Sequence, residues 1–384
     1  MVREEACFMP TVGSVTPWTL LTLASHLRNE GHEVRLVDAQ LDSLNHQELV
    51  DIVAAENPDE IITISTLGYL VEDTEYLSSL SDISLACIVY PPYETEEIKK
   101  QTPWIDEVVF DWIRYYGVRE VPNPSYDLVK PSRYYRVVSQ SSLHCPFRCI
   151  FCTVAQTGWI ARKPMNVISE LKELEQRGVR FVRFLDPDFT LNKQRVEQIC
   201  SIYKEEKVRI KWAMDARISD ITENMLTNLR EANCVAITYG IESGSQQVLD
   251  EIDKGYDTGQ IKNVVKTTER RGIAATPTFC FGFPSDSLET YEETCTIINE
   301  IKPLKISVGF PRPYPNTKLY RIGTKENLLS HSDVFSYQKD NRPLMRTRYL
   351  ETNVIDRLVR RLQKKAKMKK FTLKYLVYRL KGRL

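Results

Sequence analysis

The sequence contains no long apolar run and none of the features that direct a protein out of the cell. No stretch of 18 or more apolar residues occurs among its 384 residues, so we expect no transmembrane helix. The N-terminus carries Glu4 and Glu5, and no basic segment precedes an apolar stretch there, so we expect no signal peptide. These absences predict a cytoplasmic protein.

The chain also lacks the cysteine pattern of a protein held together by disulfides. Six of its nine cysteines stand singly within apolar runs: Cys7, Cys87, Cys200, Cys234, Cys280 and Cys295. Single cysteines in such runs are typical of small buried side chains in a reducing compartment. The chain length predicts two or three domains, and 42% hydrophobic residues are enough for sizeable cores.

The other three cysteines, Cys145, Cys149 and Cys152, follow the spacing Cys-x3-Cys-x2-Cys and indicate a metal site. Structural zinc requires a fourth Cys or His, and the nearby candidate, His144, is adjacent to Cys145. A [4Fe–4S] cluster can be held by three cysteines, which leaves one iron open to a ligand. The spacing favours such a cluster, with structural zinc or an electron-transfer cluster as the alternatives.

Apolar runs and helix-like segments alternate through the first hundred residues. Residues 33–38, 60–65 and 85–90 are predicted to be strands, and residues 18–30, 45–57 and 71–80 are predicted to be helices. Strands covered on both faces by helices predict a doubly wound parallel sheet, with ligands at the carboxyl ends of the strands.

A second set of strands follows a proline-containing linker. The predicted strands are residues 134–138, 180–185, 211–214, 235–239, 275–280 and 305–310. Most of these strands are followed by polar or glycine-containing segments. In parallel α/β barrels the active-site residues lie at that end of the strands. The sequence therefore predicts a partial (β/α)6 barrel with the cysteine loop following its first strand.

The cysteine motif, with Phe151 directly before Cys152, resembles the signature of the radical S-adenosylmethionine (SAM) superfamily. The resemblance implies that SAM binds the open iron and is cleaved to methionine and a 5′-deoxyadenosyl radical. It also implies an external one-electron reductant of the flavodoxin or ferredoxin type.

The resemblance extends to the segment Gly240-Ile241-Glu242-Ser243-Gly244-Ser245 and to the arginine after the third strand. It places Arg217, Glu242 and Ser243 against SAM and Gly282 near its adenine. SAM also carries an ammonium group and a carboxylate. Asp188, or else Asp186, is a candidate to bind the ammonium, and Arg217 can hold the carboxylate through its planar fork. Phe151 completes the predicted SAM-binding residues.

The N-terminal region resembles the cobalamin-binding domain of the B12-binding subgroup of that superfamily. The matching pieces are the entry loop from Met9 to Trp18, residues 31–38, and the strand leading into Ser65. The resemblance places Thr66, Leu67 and Gly68 under the corrin ring. No Asp-x-His-x-x-Gly segment is present, and Val89 to Glu94 contain prolines where the subgroup has glycines. The alternative is a vestigial domain that only supports the barrel.

The predicted architecture is α/β, with a Rossmann-like cobalamin-binding-type domain at residues 1–110 and a linker at 111–132. A radical SAM barrel follows at 133–320, and a C-terminal extension with a basic amphipathic helix at 321–384. Residues 356–384 carry twelve Lys or Arg against one acid. Such a tail can dock on the acidic barrel, contact an anionic membrane or bind nucleic acid. The resemblance favours docking with solvated charge, because such tails are common in the B12-binding subgroup. Membrane contact is the next alternative, and nucleic acid is the least favoured because no RNA-binding module accompanies the tail.

The predicted function is methylation of an unactivated carbon, in which cobalamin relays a methyl group from SAM to a substrate radical. Cobalamin is required because such a carbon has no lone pair with which to attack SAM directly. The alternatives are a cobalamin-independent radical enzyme for cyclisation, coupling or rearrangement, and a non-enzymatic electron carrier. The substrate class stays open among small molecules, lipids and peptides.

Overall fold

The computed structural model describes residues 15–303, 305–330, 335, 337 and 341–369. The chain divides into two compact units. The first comprises the described residues up to Val138, residues 176–179 and the described residues between 333 and 340, and the second comprises the rest. The domain boundaries predicted from the sequence stay predictions. Within the described ranges no helix combines the length and apolar character needed to span a membrane.

The first unit is built around a parallel sheet of three strands. In chain order they are β1 (Glu60–Thr66), β2 (Ser84–Tyr90) and β3 (Glu107–Val109), and β2 lies in the middle. The helices of this unit are α1 (Trp18–Asn29), α2 (His46–Glu56), α3 (Leu70–Thr74), α4 (Thr95–Gln101) and α5 (Trp112–Tyr115). Short 3-10 turns occur at Leu67–Tyr69, Glu75–Ser79, Tyr126–Leu128 and Pro131–Arg133. The middle strand is almost entirely buried, as its apolar sequence predicts.

The helix ends of the first unit follow the predicted chemistry. Asn45 and Glu48 form a capping box at the start of α2, in which each side chain accepts the other residue's backbone N–H. Asn57 ends the same helix in the left-handed conformation, directly before Pro58.

Three predictions for this region are wrong. Residues 33–38 form no strand, because a strand needs a hydrogen-bonded neighbour and no described residue pairs with them. The helix predicted at 71–80 is split into the short α3 and a 3-10 turn. The strand predicted at 134–138 begins only at Val138.

The second unit is built around a six-stranded sheet whose order follows the chain. Its strands are β4 (Val138–Ser139), β7 (Phe181–Phe184), β8 (Lys211–Ala216), β9 (Cys234–Glu242), β10 (Ala274–Cys280) and β11 (Ser307–Gly309). The pairs from β7 through β11 are parallel. The predicted strand positions from residue 180 onward are confirmed within a few residues, and so is the α/β class with parallel sheets.

Helices separate these strands as a β/α barrel requires. They are α6 (Pro164–Gln176), α7 (Lys193–Glu205), α8 (Glu223–Glu231), α9 (Gln246–Glu251), α10 (Thr258–Arg270), α11 (Leu288–Ile301) and α12 (Lys318–Lys325). A 3-10 turn at Ile218–Asp220 follows β8, and a small antiparallel ladder joins β5 (Ser142–Leu143) to β6 (Ile160–Ala161).

The C-terminal helix α13 (Thr352–Lys369) packs on the second unit. It buries Ile355, Val359 and Leu362, and the Gln363 side chain donates a hydrogen bond of 2.9 Å to the Val308 carbonyl of β11. Docking of the first turns of this helix is therefore confirmed. The part of the predicted basic amphipathic helix from Lys370 onward, with its cations, lies outside the described residues.

Candidate active site

The cysteine loop is held at both ends by the short ladder between β5 and β6. Within the loop, Cys145 forms an isolated bridge with Ala155, and its backbone N–H donates to the Thr157 hydroxyl at 3.2 Å. The Gln156 backbone N–H donates to the Phe147 carbonyl. These bonds fix the loop backbone around the cysteines without using the thiol groups.

Asp186 supports the start of this loop. Its fully buried carboxyl group accepts hydrogen bonds from the Ser141 backbone and hydroxyl and from the Ser142 hydroxyl, at 2.6–2.8 Å. Arg195 donates to the Ser141 carbonyl at 2.6 Å and so binds the same turn from its other side. The oxygens of Asp186 are thus engaged within the protein, and Asp188 is the better candidate for a ligand's ammonium group.

Cys145 and Cys149 are buried and Cys152 is partly exposed. Burial raises the pKa of the Cys145 thiol, and the Phe147 backbone N–H acts in the opposite direction. No three His, Cys, Asp or Glu side chains of the described residues converge on a point where one metal ion could bind. A mononuclear zinc site requires such convergence. An iron–sulfur cluster does not require such convergence, because each thiolate binds a different iron atom.

Arg217 reaches the cysteine loop from the end of β8. Its Nη1 donates to the Cys149 Sγ at 3.4 Å, and its Nη2 donates to the Lys254 carbonyl. The guanidinium carbon lies 3.7 Å from the centroid of the Phe147 ring, a stacked cation–π contact. The prediction that Arg217 belongs to the site agrees with this position. Its planar fork, however, is largely engaged by the protein, and only its buried Nε lacks a partner.

Lys254, which the sequence analysis missed, lies beside Arg217 in the turn after α9. Its side chain is buried, and its Nζ lies 3.4 Å from the Glu242 Oε1. The same Nζ is 5.7 Å from the ring centroids of Phe151 and Tyr256. Burial lowers the pKa of Lys254, but the charges of Tyr256, Glu242 and Cys149 outweigh burial and hold the pKa above its ordinary value. The ammonium group of Lys254 is therefore buried and paired with the Glu242 carboxylate.

Glu242 ends β9 with a positive φ of 69°, which turns its carboxylate toward Lys254. Ser243, the next residue, has a buried side chain whose oxygen accepts the Ser245 backbone N–H at 3.1 Å and contacts the Thr294 hydroxyl at 3.4 Å. Glu242 thus presents a charge to the site, whereas the hydroxyl of Ser243 is used to shape the turn.

Asp188, which is buried, and Asp220, which is partly exposed, form an acidic pair after β7 and β8. The Asp188 Oδ1 accepts hydrogen bonds from the Thr190 backbone and hydroxyl at 2.9 and 2.8 Å. Burial, followed by the hydrogen bond and charge of Asp220, raises the pKa of Asp188 to about 7. Two ionised carboxylates offer each other no donor, so their contact requires one proton.

Phe151 and Gly282 line the neighbouring part of the second unit. The Phe151 ring packs against Phe283 with a centroid separation of 5.4 Å. Gly282 adopts a positive φ of 122°, and both its N–H and that of Phe283 donate to the buried Asp286 carboxyl group. Burial raises the pKa of Asp286 to about 7. The turn is thereby fixed in place, and the adenine contact of Gly282 stays a prediction.

The unpaired polar atoms of the site fit a charged, polar ligand. The Asp188 Oδ2, the Asp220 Oδ2 and the Arg217 Nε are buried, and apart from the contact within the acidic pair none of these atoms has a hydrogen-bond partner in the protein. Buried polar atoms are rarely left unsatisfied. Two acceptors and one donor are complementary to an ammonium and a carboxylate, which SAM carries.

The first unit contains the residues predicted to lie under a corrin ring. Thr66 ends β1, and Leu67 and Gly68 begin the following 3-10 turn. All three residues are buried. Their position at the carboxyl end of a parallel strand is the predicted one, and their role in cobalamin binding stays a prediction.

Comparison with known proteins relates both units to one group of enzymes. A Pyrococcus horikoshii protein named as an uncharacterised methyltransferase is 26% identical over 411 residues, which cover 93% of this chain and 89% of the relative. The anaerobic magnesium-protoporphyrin IX monomethyl ester cyclase of Cereibacter sphaeroides is 22% identical over 400 residues. That match covers 88% of this chain and 64% of the cyclase.

A solved structure shares the fold over nearly the whole chain. The cobalamin-dependent SAM radical enzyme OxsB, solved with aqua-cobalamin and SAM bound, superimposes with a TM-score of 0.73 at 17% identity. The match covers 95% of this chain and 70% of that chain. The family model of the radical SAM superfamily matches residues 140–298, a segment that contains the cysteine motif, Asp188, Arg217, Glu242 and Gly282. Residues 140–298 of the chain therefore form a radical SAM domain.

Proposed function

We propose that the protein cleaves SAM reductively to a 5′-deoxyadenosyl radical and uses this radical for the cobalamin-dependent methylation of an unactivated carbon. The observation that carries the proposal is the meeting of the cysteine loop with Arg217 at Cys149. Lys254 and Glu242 lie beside this contact. The cysteine thiolates that can hold a cluster therefore lie next to charged groups that fit a zwitterionic ligand.

Each residue of the site has a separate task in this proposal. Cys145, Cys149 and Cys152 hold the [4Fe–4S] cluster, which supplies one electron to SAM when both are bound. The unpaired Oδ2 atoms of Asp188 and Asp220 accept N–H donors from the ligand's ammonium group. Lys254 and the Nε of Arg217 face its carboxylate, and Glu242 balances the charge of Lys254. Phe151 and Phe283 supply an apolar wall that excludes water from the reacting groups.

The cobalamin part of the proposal is supported by the fold and by the relatives. OxsB, which has this fold, was solved with aqua-cobalamin bound, and the match includes the first unit. The Pyrococcus horikoshii relative is named as a methyltransferase. We propose that Thr66, Leu67 and Gly68 contact the cofactor through the carboxyl end of β1.

A second function is favoured by one of the relatives. The similarity to an anaerobic ester cyclase extends over 88% of this chain, so the same architecture is compatible with radical cyclisation. In that case the 5′-deoxyadenosyl radical forms as before, but no methyl group is transferred. Small molecules, lipids and peptide side chains stay open as substrates.

The two functions are separated by the products of SAM. The protein is reconstituted with its cluster under anaerobic conditions and incubated with SAM and a strong reductant, with and without cobalamin. 5′-Deoxyadenosine together with S-adenosylhomocysteine, the second formed only with cobalamin, supports methylation. 5′-Deoxyadenosine alone, in the same amount with and without cobalamin, would favour the cyclase-type function. If neither product is formed, both proposed functions are contradicted.

We also propose a cytoplasmic, oxygen-sensitive enzyme that is reduced by a flavodoxin- or ferredoxin-type donor. We further propose that the basic tail makes peripheral contact with anionic membranes. It is supported by the exposed cations Arg357, Arg360, Arg361 and Lys364 on a helix whose opposite face is docked. Removal of Lys364 to Leu384 is expected to weaken binding to anionic vesicles while SAM cleavage continues.

A further inference from the structure

Arg217 and Lys254 form a buried pair of cations against Cys149. Arg217 is 9% exposed and Lys254 is 4% exposed, so bulk water screens neither charge well. The contact to the sulfur is direct for Arg217, whose Nη1 donates to the Cys149 Sγ. Lys254 lies next to this contact, because Arg217 also donates to the Lys254 carbonyl and the Cys149 Sγ is 3.9 Å from the carbonyl oxygen of the preceding residue, Asp253.

The structure holds both cations in fixed positions. Arg217 stacks on Phe147, whose backbone is part of the cysteine loop, and it donates to the carbonyl of Lys254. Lys254 contacts Glu242, and Tyr256 donates to the Gly240 carbonyl at 2.7 Å beside it. A preorganised charge requires little rearrangement when an electron arrives nearby.

The two cations outnumber the carboxylate that faces them, since Glu242 is the acid in contact with Lys254. Among the described residues no carboxylate forms an ion pair with Arg217, so a salt bridge does not offset the charge that contacts Cys149. Ligation by the cysteine thiolates makes an iron–sulfur cluster more negative, and its one-electron reduction adds a further negative charge. Nearby positive charge and N–H donors to cysteine sulfur stabilise the reduced state more than the oxidised state.

We propose that Arg217 and Lys254 raise the reduction potential of the cluster and so bring it within reach of the external one-electron donor. The inference rests on the proposed function, because it requires the cluster at Cys145, Cys149 and Cys152. Arg217 acts by its hydrogen bond and its charge, and Lys254 acts by its charge alone. Both are positioning residues for electron transfer, whether or not they also contact SAM.

The test is the midpoint potential of the reconstituted protein without SAM, measured in an anaerobic titration followed by electron paramagnetic resonance of the reduced cluster. Iron and sulfide content establish that each variant holds a complete cluster. Arg217→Gln and Lys254→Met are each expected to shift the midpoint to a more negative potential. Lys254→Arg is expected to keep the wild-type value, because it keeps the charge.

Two further variants separate charge from structural damage. Lys254→Met combined with Glu242→Gln removes one charge of each sign, so the midpoint is expected to return toward the wild-type value. Lys266→Met removes a cation from the exposed side of α10 and is expected to leave the midpoint unchanged, because solvent screens that charge.

Wild-type midpoints in fully loaded Arg217→Gln and Lys254→Met would overturn the proposal, and so would an equal shift in Lys266→Met. Loss of the cluster from both Arg217→Gln and the double variant would also overturn it, since the cations would then hold the cluster instead of tuning it. Failure of the wild-type chain to incorporate iron would instead contradict the proposed function. If the wild-type cluster can be reduced in the titration but the protein does not cleave SAM, the proposed function alone is contradicted.

Discussion

Gly240 lies directly beneath the carboxylate of Glu242. A Cβ atom at position 240 would stand 2.8 Å from the Glu242 Oε1 and 3.6 Å from the Lys254 Nζ. The first distance is shorter than a normal contact, so any side chain at position 240 displaces this carboxylate. Glycine at position 240, the first residue of the Gly-Ile-Glu-Ser-Gly-Ser segment, therefore leaves room for the ion pair between Glu242 and Lys254.

We expect Gly240→Ala to weaken SAM binding while the fold stays intact. The group that must move is the far end of a flexible side chain, and its displacement separates Glu242 from Lys254. The loss is expected to be about 10-fold in affinity, since a charged hydrogen bond contributes about 1.5 kcal/mol. Equilibrium dialysis with SAM and a thermal melt measure the two effects, and unchanged SAM affinity would contradict the assignment.

Gly244→Ala is the matched comparison. It is expected to destabilise the fold, whereas Gly240→Ala is expected to leave the fold intact. A Cβ atom at position 244 would stand 2.6 Å from the Cα of Thr294 in α11, and this backbone cannot move aside. We expect a clear loss of thermal stability, of the order of 1–3 kcal/mol, as for other overpacked sites. A normal melting temperature for this variant would show that the packing of β9 on α11 is looser than the structure indicates.

Cys149→Ala is expected to prevent assembly of the complete cluster. Cys149 supplies one of the three thiolates and accepts the hydrogen bond from Arg217. Cys200→Ala is the control, because Cys200 is buried in α7 and lies outside the motif. Iron and sulfide content after reconstitution should fall to a residual level in the first variant and stay at the wild-type level in the second. A full cluster in Cys149→Ala would disprove the ligand assignment.

The raised pKa of Asp188 predicts a dependence of stability on pH. Its folded pKa of about 7 lies above the ordinary value of 3.8, so the folded protein binds the proton more tightly than the unfolded chain. The resulting stability is complete below the unfolded pKa and is lost as the pH rises toward 7, with a slope of at most about 1.4 kcal/mol per pH unit. Asp188→Asn cannot titrate and does not share this loss.

We therefore expect the stability of Asp188→Asn relative to the wild type to rise between about pH 4 and about pH 7 and to stay constant above that. Urea unfolding of both proteins at several pH values measures the difference. Asp286, whose pKa burial also raises to about 7, is present in both proteins and cancels in the comparison. A difference that stays constant with pH would show that Asp188 is not the proton-binding group.

The sequence predicted those parts of the site that are local in the chain. The cysteine spacing is contained in eight residues, and Arg217 and Glu242 follow strands that apolar runs identify. Position at the end of a parallel strand was therefore enough to assign these residues to one edge of the sheet. The strand predicted at residues 33–38 had a similar pattern but forms no ladder with described residues, because pairing depends on a neighbour that the pattern does not contain.

Lys254 and Asp220 could not be predicted in the same way. Lys254 stands in the turn Asp253-Lys254-Gly255, where a lysine before a glycine is typical of an exposed helix end. Its burial depends on Phe151, far away in the chain, and on Tyr256 and Glu242. Asp220 acquires its role only through contact with Asp188. The one sequence signal available was that both residues follow shortly after a predicted site residue.

Arg162 and Glu170 form a buried ion pair next to the cysteine loop, where Arg162 directly follows β6. Both side chains are completely buried, their charged atoms are 2.6 Å apart, and Arg162 also donates to the Gln140 carbonyl. Arg162→Met leaves Glu170 as an uncompensated buried charge, so we expect a loss of about 3–5 kcal/mol in the free energy of unfolding. Urea denaturation measures this loss.

The double variant Arg162→Met with Glu170→Leu decides how that loss arises. It removes both charges and fills the space with apolar side chains, so we expect it to recover most of the stability lost in the single variant. Recovery should be incomplete, because the Gln140 carbonyl still lacks its donor. If the single and double variants were equally unstable, the hydrogen bond to Gln140, and not the ion pair, would be the contact that holds the loop.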